Sequence, residues 1–274
     1  MRFIKMQGAG NDFILFDNRD GSISPERYTS LAAECCRRRL SMGADGIIII
    51  LPPLEGGDFS MLYFNADGSP GEMCGNGARC AARYGFEHGL SGDLQRIETT
   101  AGLVIAQRIE KDLYCVRLND PSRIEPEIGI PWEGRILSCS YVELGNPGIP
   151  HAVVDLQDWD RIDRRELLDL ARMIRNWGVF HNGANVTFWK NLGPGHLKAL
   201  TYERGVEDFT MACGTGAGST AVSLWKRGLT EDSFFQIDFP GGELQVSLVC
   251  DEDVINDIYL TGPAVVVAEG ELYI

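Results

Sequence analysis

Two cysteines of this 274-residue chain stand in the same short phrase. Cys74 lies in Met-Cys-Gly-Asn-Gly-Ala and Cys213 in Ala-Cys-Gly-Thr-Gly-Ala, an offset of 139 residues from 74 to 213. A glycine-rich turn that opens a helix presents backbone N–H groups and the positive end of the helix dipole, which stabilise a thiolate and lower the pKa of its thiol. The same N–H groups can bind a carboxylate, and glycine lets that carboxylate approach the backbone closely. Each phrase therefore predicts a thiol acid or base beside a carboxylate site.

Two such turns facing one another would hold one carboxylate and place a sulfur on each face of the neighbouring carbon. One cysteine would remove a proton as thiolate and the other would return one as thiol, with the roles exchanged in the reverse direction. A lone cysteine before glycine is more often a small buried residue, but packing does not demand the same phrase twice. The sequence therefore predicts a two-thiol acid–base site at Cys74 and Cys213.

The other six cysteines fit a structural role as small buried side chains. None of the eight forms a Cys-x-x-Cys pair, and the gap from Cys74 to Cys80 matches no common zinc spacing. Cys80 is predicted to lie in a helix core, and its counterpart in the second phrase is Ser219. Neither Lys190 nor Lys198 adjoins a phosphate-cradling glycine turn, so pyridoxal phosphate is not indicated. We predict no metal and no cofactor, with a thiol-rich redox or metal-binding protein as the non-enzymatic alternative.

The composition is that of an ordinary globular protein, with 44% hydrophobic and 23% charged residues. The 25 basic and 39 acidic residues leave a net charge of −14, which disfavours nucleic acid and anionic membrane surfaces as partners. Apolar runs such as Ile47 to Leu51 are far shorter than the roughly 20 residues that a membrane helix needs. The N-terminal segment lacks the apolar core of a signal peptide and is predicted to be a strand. We therefore expect a cytoplasmic protein.

The elements that must position the cysteines are short strands alternating with a few helices. Apolar, aromatic and β-branched residues predict strands over 13–17, 46–51 and 59–64. Helices are predicted over about 25–39, where Ser24 and Pro25 form a start signal, and over about 75–88, 163–176 and 214–228. The predicted fold class is mixed α/β.

A second pair of segments repeats at nearly the same offset as the cysteine phrases. Ile97 to Val104 parallels Ile237 to Leu244, 140 residues further along. Two matches at one offset of about half the chain length predict two similar domains, each with a cysteine-led turn, a helix and a strand pair. We expect a boundary near 115–120, giving halves 1–117, to which 264–274 returns, and 118–263.

A series of further motifs follows in order along the chain. They are Gln-Gly-Ala-Gly-Asn-Asp-Phe at 7–13, Asn-Ala-Asp-Gly-Ser at 65–69, the first cysteine phrase at 72–80, Asn-Gly-Ala-Asn-Val at 182–186, Tyr-Glu-Arg-Gly-Val at 202–206, the second cysteine phrase at 212–217 and Thr-Gly-Pro-Ala at 261–264. One glycine-rich phrase would be a weak signal, but this ordered series spans almost the whole chain. The series resembles the signatures of the diaminopimelate epimerase family.

The resemblance implies a cofactor-independent enzyme that interconverts LL- and meso-2,6-diaminopimelate, in the synthesis of lysine and peptidoglycan precursors. It implies two pseudo-symmetric domains, each a curled mixed β-sheet around a central helix, and usually a homodimer. The catalytic roles that it implies fall on Cys74, Cys213, His151 and Glu203. The substrate-binding residues that it implies are Asn11, Asn65, Gly75, Asn76, Asn185, Glu203, Arg204, Gly214 and Thr215.

The chemistry of the substrate's far end supports these assignments. That end is itself an amino acid, so it needs a cation for its carboxylate and an acceptor for its ammonium group. Arg204 and Glu203 can supply this pair, and the amides of Asn65 and Asn185 can bind either group. A racemase of another, simpler amino acid on the same fold is the alternative, but it has no use for all four.

Most of these residues also have a plainer interpretation when each is taken alone. Glu203 and Arg204 fit a solvated ion pair, Asn11 and Asn65 fit turn residues, and His151 fits a structural histidine. Departures from the family pattern bear on substrate preference and leave the cysteines untouched: Gly148-Ile149 separates Asn146-Pro147 from Pro150-His151, Gly46 stands where some members have glutamine, and Phe209 stands where polar residues are usual.

Overall fold

The computed structural model describes residues 1–71 and 73–273. Glu72, where the quoted 72–80 motif begins, and Ile274, the end of the predicted returning segment, lie outside the described residues. Contacts within the chain separate two compact units. Unit 1 is Met1–Arg117 with the chain from Thr261 onward, and unit 2 is Leu118–Leu260. No helix in the described part of the chain is long and apolar enough to cross a membrane.

The described residues form a mixed α/β fold. The helices are α1 (Tyr28–Cys35), α2 (Gly75–Glu87), α3 (Arg164–Arg175) and α4 (Gly214–Lys226), with short 3-10 turns at Pro25–Arg27 and Trp159–Arg161. The strands are β1 (Arg2–Gly8), β2 (Asn11–Asp17), β3 (Gly46–Leu51), β4 (Phe59–Asn65), β5 (Pro70–Gly71), β6 (Leu94–Thr99), β7 (Gly102–Glu110), β8 (Leu113–Leu118), β9 (Pro121–Trp132), β10 (Arg135–Leu144), β11 (Ile149–Asp155), β12 (Asn185–Gly193), β13 (His196–Tyr202), β14 (Phe234–Phe239), β15 (Gly242–Asp251), β16 (Val254–Pro263) and β17 (Val265–Glu271).

Unit 1 alternates antiparallel hairpins with parallel crossovers. Strands β1 and β2 pair antiparallel, β2 and β3 pair parallel across α1, and β3 and β4 pair antiparallel. Strands β4 and β6 then pair parallel across α2, and β6 leads into the antiparallel pair β6–β7. The returning strand β17 pairs antiparallel with β1, which ties the C-terminal segment to this unit.

Unit 2 repeats the same order of pairings. Strands β10 and β11 pair antiparallel, β11 and β12 parallel across α3, and β12 and β13 antiparallel. Strands β13 and β14 pair parallel across α4, followed by the antiparallel pair β14–β15. The prediction of two similar halves is confirmed, and the likeness extends well beyond the two segments that repeat in sequence.

The central strands of each unit are buried because helices cover both of their faces. In β3, Ile47 and Ile49 belong to the core cluster that includes Leu31 of α1, whereas Ile48 points toward Gly77 of α2. Successive side chains of a strand alternate between faces, so an unbroken apolar run fits a strand covered on both sides. In unit 2 the corresponding cluster joins α3 to the strands β11 and β12.

The helices that follow the cysteine phrases are the central helices of their units. Helix α2 is buried from Asn76 to Gly85, and α4 is buried at Gly214 and from Gly216 to Leu224. Helix α2 contacts strands of unit 1 that include β1, β4, β6 and β7, and α4 contacts strands of unit 2 that include β10, β11, β12 and β15. Glycine, alanine, serine and threonine make up most of the buried part of α4, whereas α2 also encloses larger side chains such as Arg79 and Tyr84. The predicted starts, at 75 and 214, are confirmed.

The first predicted helix is shorter than expected. A 3-10 turn over Pro25–Arg27 precedes α1, the Ser24 side chain makes no capping hydrogen bond, and α1 ends at Cys35 instead of continuing to about 39. Arg39 has a left-handed backbone with φ of 70°, which a continuing α-helix excludes. The guanidinium of Arg38 instead bonds the carboxylates of Asp12 and Asp45.

The cysteines outside the two phrases are mostly buried thiols. Cys35, Cys36, Cys80, Cys115 and Cys139 are buried, as predicted, and all eight cysteines are free. The expectation is wrong for Cys250, which is partly exposed on β15. Leu244, Val246 and Leu248 of β15 are buried, and Cys250 is the next residue on the same face, but it lies one residue before the strand ends, where burial is incomplete.

Buried thiols should make the fold sensitive to alkali. Burial raises the pKa of Cys80 and of Cys139 from 9.0 to about 12. Above pH 9 the unfolded chain loses these protons while the folded chain keeps them, so the free energy of unfolding falls as pH rises, by about 1.4 kcal/mol per pH unit for each thiol. Urea unfolding from pH 8.5 to 10.5 measures this slope. In Cys139→Ala the slope of unfolding free energy against pH should be smaller by about 1.4 kcal/mol per pH unit. An unchanged slope would contradict the raised pKa of Cys139.

Candidate active site

The two cysteine phrases fold into nearly identical helix starts. Cys74 is the N-cap of α2, with φ −129° and ψ 116°, and Cys213 is the N-cap of α4, with φ −121° and ψ 111°. The carbonyl of each cysteine accepts the first helical hydrogen bond, at 2.8 Å from Ala78 N and 2.9 Å from Ala217 N. Gly75 and Gly214 open the helices, so the N–H groups of the first turn are not used by the helix's own ladder. Both starts suit an anion.

One glycine of the second phrase has a steric reason that the sequence did not reveal. A Cβ on Gly216 would lie 2.9 Å from the hydroxyl oxygens of both Thr187 and Thr201. These hydroxyls lie 3.0 Å apart in adjacent strands, β12 and β13. Glycine therefore lets the start of α4 approach the sheet of unit 2.

In unit 1 the structure brings three predicted residues together. Sγ of Cys74 lies 3.6 Å from Oδ1 of Asn11, and Nδ2 of Asn76 donates to the same oxygen at 3.2 Å. Asn11 opens β2 and Asn76 is the second residue of α2. Cys74 is partly exposed, whereas Asn76 is buried. The start of α2 and the start of β2 thus form one polar cluster around the first thiol.

Asn65 is not joined to that cluster by any hydrogen bond that the described residues show. Its amide accepts from the Tyr63 hydroxyl at 3.0 Å and donates to the Ser69 hydroxyl at 3.0 Å. Its backbone closes the same turn, accepting from Gly68 N and donating to Ser69 O. The turn role that the sequence left open for Asn65 is therefore filled, and its substrate role stays a prediction.

In unit 2 the second thiol and three other predicted residues form a connected set. His151 on β11 and Asn185 on β12 are register partners, with Nε2 and Nδ2 3.4 Å apart. The same Nε2 lies 2.9 Å from Oγ1 of Thr215, which lies 3.5 Å from Sγ of Cys213. His151 therefore reaches Cys213 through the Thr215 hydroxyl.

Glu203 and Arg204 follow β13 in a loop that returns to the same set. The backbone N–H of Arg204 donates to Oδ1 of Asn185 at 2.7 Å, and its guanidinium donates to Asn182 O at 3.0 Å. Oε1 of Glu203 accepts from Thr210 Oγ1 at 2.6 Å. Glu203 is half-buried and interacts with the Cys213 thiol, whereas Arg204 is exposed to solvent.

The expected lowering of the thiol pKa by a helix start is wrong for Cys213. Burial, followed by the negative charge and hydrogen bond of Glu203, raises the pKa of Cys213 well above its ordinary value. The Thr215 hydroxyl and the Gly216 N–H act in the opposite direction and are outweighed. Desolvation opposes the charged form of any buried acid, and the sequence could not show that Cys213 is only 7% exposed.

His151 is an uncharged base in this structure. It is fully buried, and burial together with the charge of Arg204 lowers its pKa to about 3. Its Nδ1 has no hydrogen-bond partner among residues 1–71 and 73–273. A neutral imidazole can accept or donate at Nε2 according to its tautomer, so His151 can orient the Thr215 hydroxyl without adding a charge.

The structure adds contacts that the sequence analysis did not single out. Asp45 accepts from Asn11, and the buried Arg79 donates to Asn76. Arg79 lies inside the 72–80 motif, and its place in that motif could have identified it as a residue of the site. Phe209, one of the departures from the family pattern, packs its ring against Tyr202 and Phe188. No cluster of three or more metal-binding side chains occurs within the described residues.

Solved structures of other proteins share the fold of this chain. The chain aligns with a hydroxyproline epimerase from Agrobacterium vitis at a TM-score of 0.72, with 16% identity and coverage of 99% of this chain and 92% of the other. It aligns with a Bacillus anthracis protein of the PhzF family at a TM-score of 0.77, with 17% identity and coverage of 100% and 99%. At 16% and 17% identity, these likenesses show the fold that the chain shares with both proteins.

The sequence relatives give the family. The profile of the diaminopimelate epimerase family matches residues 3–122 and 144–267. The diaminopimelate epimerase of Aquifex aeolicus is 36% identical over 281 residues, covering 99% of this chain and 98% of that protein, and that of Xanthomonas euvesicatoria is 34% identical over 286 residues, covering 99% and 96%. The chain belongs to the diaminopimelate epimerase family, and the resemblance found in its motifs is confirmed.

Proposed function

We propose that this chain interconverts LL- and meso-diaminopimelate by two-base proton transfer at one α-carbon, with Cys74 and Cys213 as the two thiols. The observation that carries this proposal is the matched geometry of the two N-cap cysteines, which have nearly the same backbone angles and the same first helical hydrogen bond. Packing alone gives no reason for two such thiols at the starts of two anion-binding helices. The reaction serves the synthesis of lysine and peptidoglycan precursors.

In this mechanism the thiolate of one cysteine takes the α-proton and the thiol of the other delivers a proton to the opposite face. The N–H groups of Gly75, Asn76, Gly214 and Thr215 hold the reacting carboxylate and stabilise the negative charge that develops as the proton leaves. His151 and Glu203 set the state of Cys213. Asn11, Asn65, Asn185, Glu203 and Arg204 bind the remaining groups of the substrate.

The proposal is tested by proton NMR of the reduced protein with LL-diaminopimelate in D₂O. We expect the α-proton signal to disappear as the meso isomer forms, because each turnover returns a solvent deuteron. L-Proline and L-lysine, run in parallel, test the alternative of a simpler amino acid. Deuterium uptake by one of these and not by diaminopimelate would move the proposal to that substrate, and uptake by none would favour a non-enzymatic role.

The far-end contact makes a separate prediction for Arg204. Replacing Arg204 with Gln removes the cation proposed for the distal carboxylate, so KM for diaminopimelate should rise at least about tenfold with a smaller change in kcat. Steady-state kinetics in both directions measure this split. The matched control is Arg164→Gln, because Arg164 is also exposed and pairs with Asp208 in the neighbouring loop. Equal KM values for the two variants would remove Arg204 from the substrate site.

The proposal extends to the organisation and setting of the protein. The functional halves are residues 1–117 with 264–274 and residues 118–263, each supplying one thiol. We propose that the protein is a homodimer and acts in the cytoplasm. Sedimentation at micromolar concentration tests the dimer, and fractionation of the source cells tests the location.

A further inference from the structure

A continuous chain of side-chain hydrogen bonds runs beside Cys74 in unit 1. Nη2 of Arg79 donates to Oδ1 of Asn76 at 2.8 Å, and Nδ2 of Asn76 donates to Oδ1 of Asn11 at 3.2 Å. Nδ2 of Asn11 then donates to Oδ2 of Asp45 at 2.7 Å. Four side chains from α2, β2 and the residue before β3 are thus linked in one direction.

The residues at the two ends of this hydrogen-bond series, Arg79 and Asp45, can each act in only one way, as donor and as acceptor respectively. A guanidinium can only donate and a carboxylate can only accept, whereas an amide can do either after a half-turn of its terminal group. Rotating Asn11 would turn its oxygen toward the Asp45 carboxylate, and rotating Asn76 would turn its nitrogen toward Arg79. Either rotation, or both together, sets like groups against each other at one or more links.

Both ends are themselves firmly held. Arg79 is fully buried and also donates to Pro263 O and Gly75 O, each at 3.4 Å. A Cβ on Gly8 would lie 3.4 Å from Nη2 of Arg79, so that glycine leaves room for the guanidinium. Asp45 accepts from the backbone N–H of Asp12 at 3.0 Å and from Arg38 at 2.9 Å.

We propose that Arg79 and Asp45 are positioning residues that fix the amides of Asn76 and Asn11 in one orientation, so that the carbonyl oxygen of Asn11 faces the sulfur of Cys74. In this orientation Oδ1 of Asn11 accepts a hydrogen bond from the Cys74 thiol, across the observed 3.6 Å. The catalytic consequence rests on the proposed function, but the orientation itself does not.

The orientation matters because it balances the groups that favour the thiolate. Arg79 and the start of α2 both stabilise negative charge on Cys74, and the thiol of Cys80 also interacts with that of Cys74. The Asn11 oxygen counters them by binding the protonated form. A sulfur that must be protonated in one step and deprotonated in the next needs a thiol and a thiolate of similar free energy.

The test is the pH dependence of Cys74 alkylation by iodoacetamide, followed by mass spectrometry of its peptide in the absence of substrate. Asp45→Asn replaces a group that can only accept with one that can also donate, so only the link to Asn76 still opposes rotation of Asn11. In the rotated form the N–H of Asn11 points toward the sulfur and stabilises the thiolate. We expect the alkylation midpoint to fall by about one pH unit, equivalent to roughly tenfold faster alkylation below the midpoint. A purely structural loss would speed alkylation at every pH and leave the midpoint in place.

The control is Asp12→Asn, because Asp12 lies beside Asp45, shares Arg38 with it and makes no side-chain bond to Asn11 that the structure shows. It removes the same charge and should leave the midpoint nearly unchanged. An unshifted midpoint in Asp45→Asn, or an equal shift in both variants, overturns the proposal.

If Asp45→Asn does not fold, solvent exchange of the side-chain amide protons in the unaltered protein tests the proposal instead. Those of Asn11 must exchange far more slowly than those of the exposed Asn182, and equal rates overturn the proposal. Because no turnover is involved, these results stand whether or not diaminopimelate is the substrate.

Discussion

Replacing either Cys74 or Cys213 with serine will reduce epimerisation of diaminopimelate by about three orders of magnitude in both directions. Serine keeps the size of the side chain and the helix start, but its hydroxyl is far less acidic than a thiol and cannot exchange a proton with the α-carbon at a useful rate. Acid–base groups of this kind contribute typically 10²–10⁴-fold. Both variants should fail alike, because every turnover needs one sulfur to accept a proton and the other to donate one.

The measurement is deuterium incorporation from D₂O together with formation of the second isomer, for each variant and each starting isomer. Cys250→Ser is the matched control, since Cys250 is a partly exposed thiol on β15, outside the proposed site. It should retain the activity of the unaltered protein. Unfolding midpoints of all three variants separate loss of chemistry from loss of fold. Retention of more than a tenth of the activity by either N-cap variant would exclude the two-thiol mechanism.

Much of the fold follows from the sequence because the repeated segments carry their own structural signals. The Cys-Gly-x-Gly-Ala phrase has an extended N-cap followed by small residues that suit an enclosed helix, and α2 and α4 form where it predicts. The segment from Ile97 to Val104 and its counterpart become the hairpins β6–β7 and β14–β15. The sequence did not show the end of α1. Beyond it Arg38 binds Asp12 and Asp45, which the pairing of β2 with β3 brings close together.

The site was predictable in residue type and less so in environment. The sequence identifies His151, Asn185 and Thr215, but their connection to Cys213 depends on the parallel register of β11 and β12. It cannot give the burial that reverses the expected pKa shift of Cys213. It also cannot show that Asp45 orients Asn11, since that bond joins residues 34 positions apart. Local sequence signals specify the helix starts, whereas tertiary packing determines the protonation of the cysteines at those starts.

The two thiols have parallel environments built from different residues. Beside Cys74, the Asn11 oxygen favours the protonated sulfur, while Arg79 favours the thiolate. Beside Cys213, burial and Glu203 favour the protonated sulfur, while the Thr215 hydroxyl and a backbone N–H favour the thiolate. Each sulfur therefore lies between groups that favour its protonated form and groups that favour its thiolate, as the proposed two-base reaction requires.

Glu203 is the group whose removal should shift this balance most clearly at Cys213. In Glu203→Gln the negative charge is lost, while the new side chain can still accept the hydrogen bond from Thr210 Oγ1. The pKa of Cys213 is raised by that charge, so the substitution lowers it. We expect the limbs of the pH–rate profiles that report Cys213 to move to lower pH by about one unit, with a fall of roughly 10²-fold in kcat.

The sign of this shift does not depend on which isomer Cys213 serves. In the direction where Cys213 must begin as a thiol, activity is lost on the alkaline side when its proton leaves, and a lower pKa brings that loss to lower pH. In the direction where it must begin as a thiolate, activity appears on the acidic side, and a lower pKa brings that gain to lower pH as well. Profiles of kcat/KM from both isomers therefore move together. The control is Asp208→Asn, which removes an exposed carboxylate from the same loop and should leave both limbs in place. An equal displacement in the two variants would show that the charge of the loop, rather than contact of Glu203 with Cys213, sets the protonation of the second thiol.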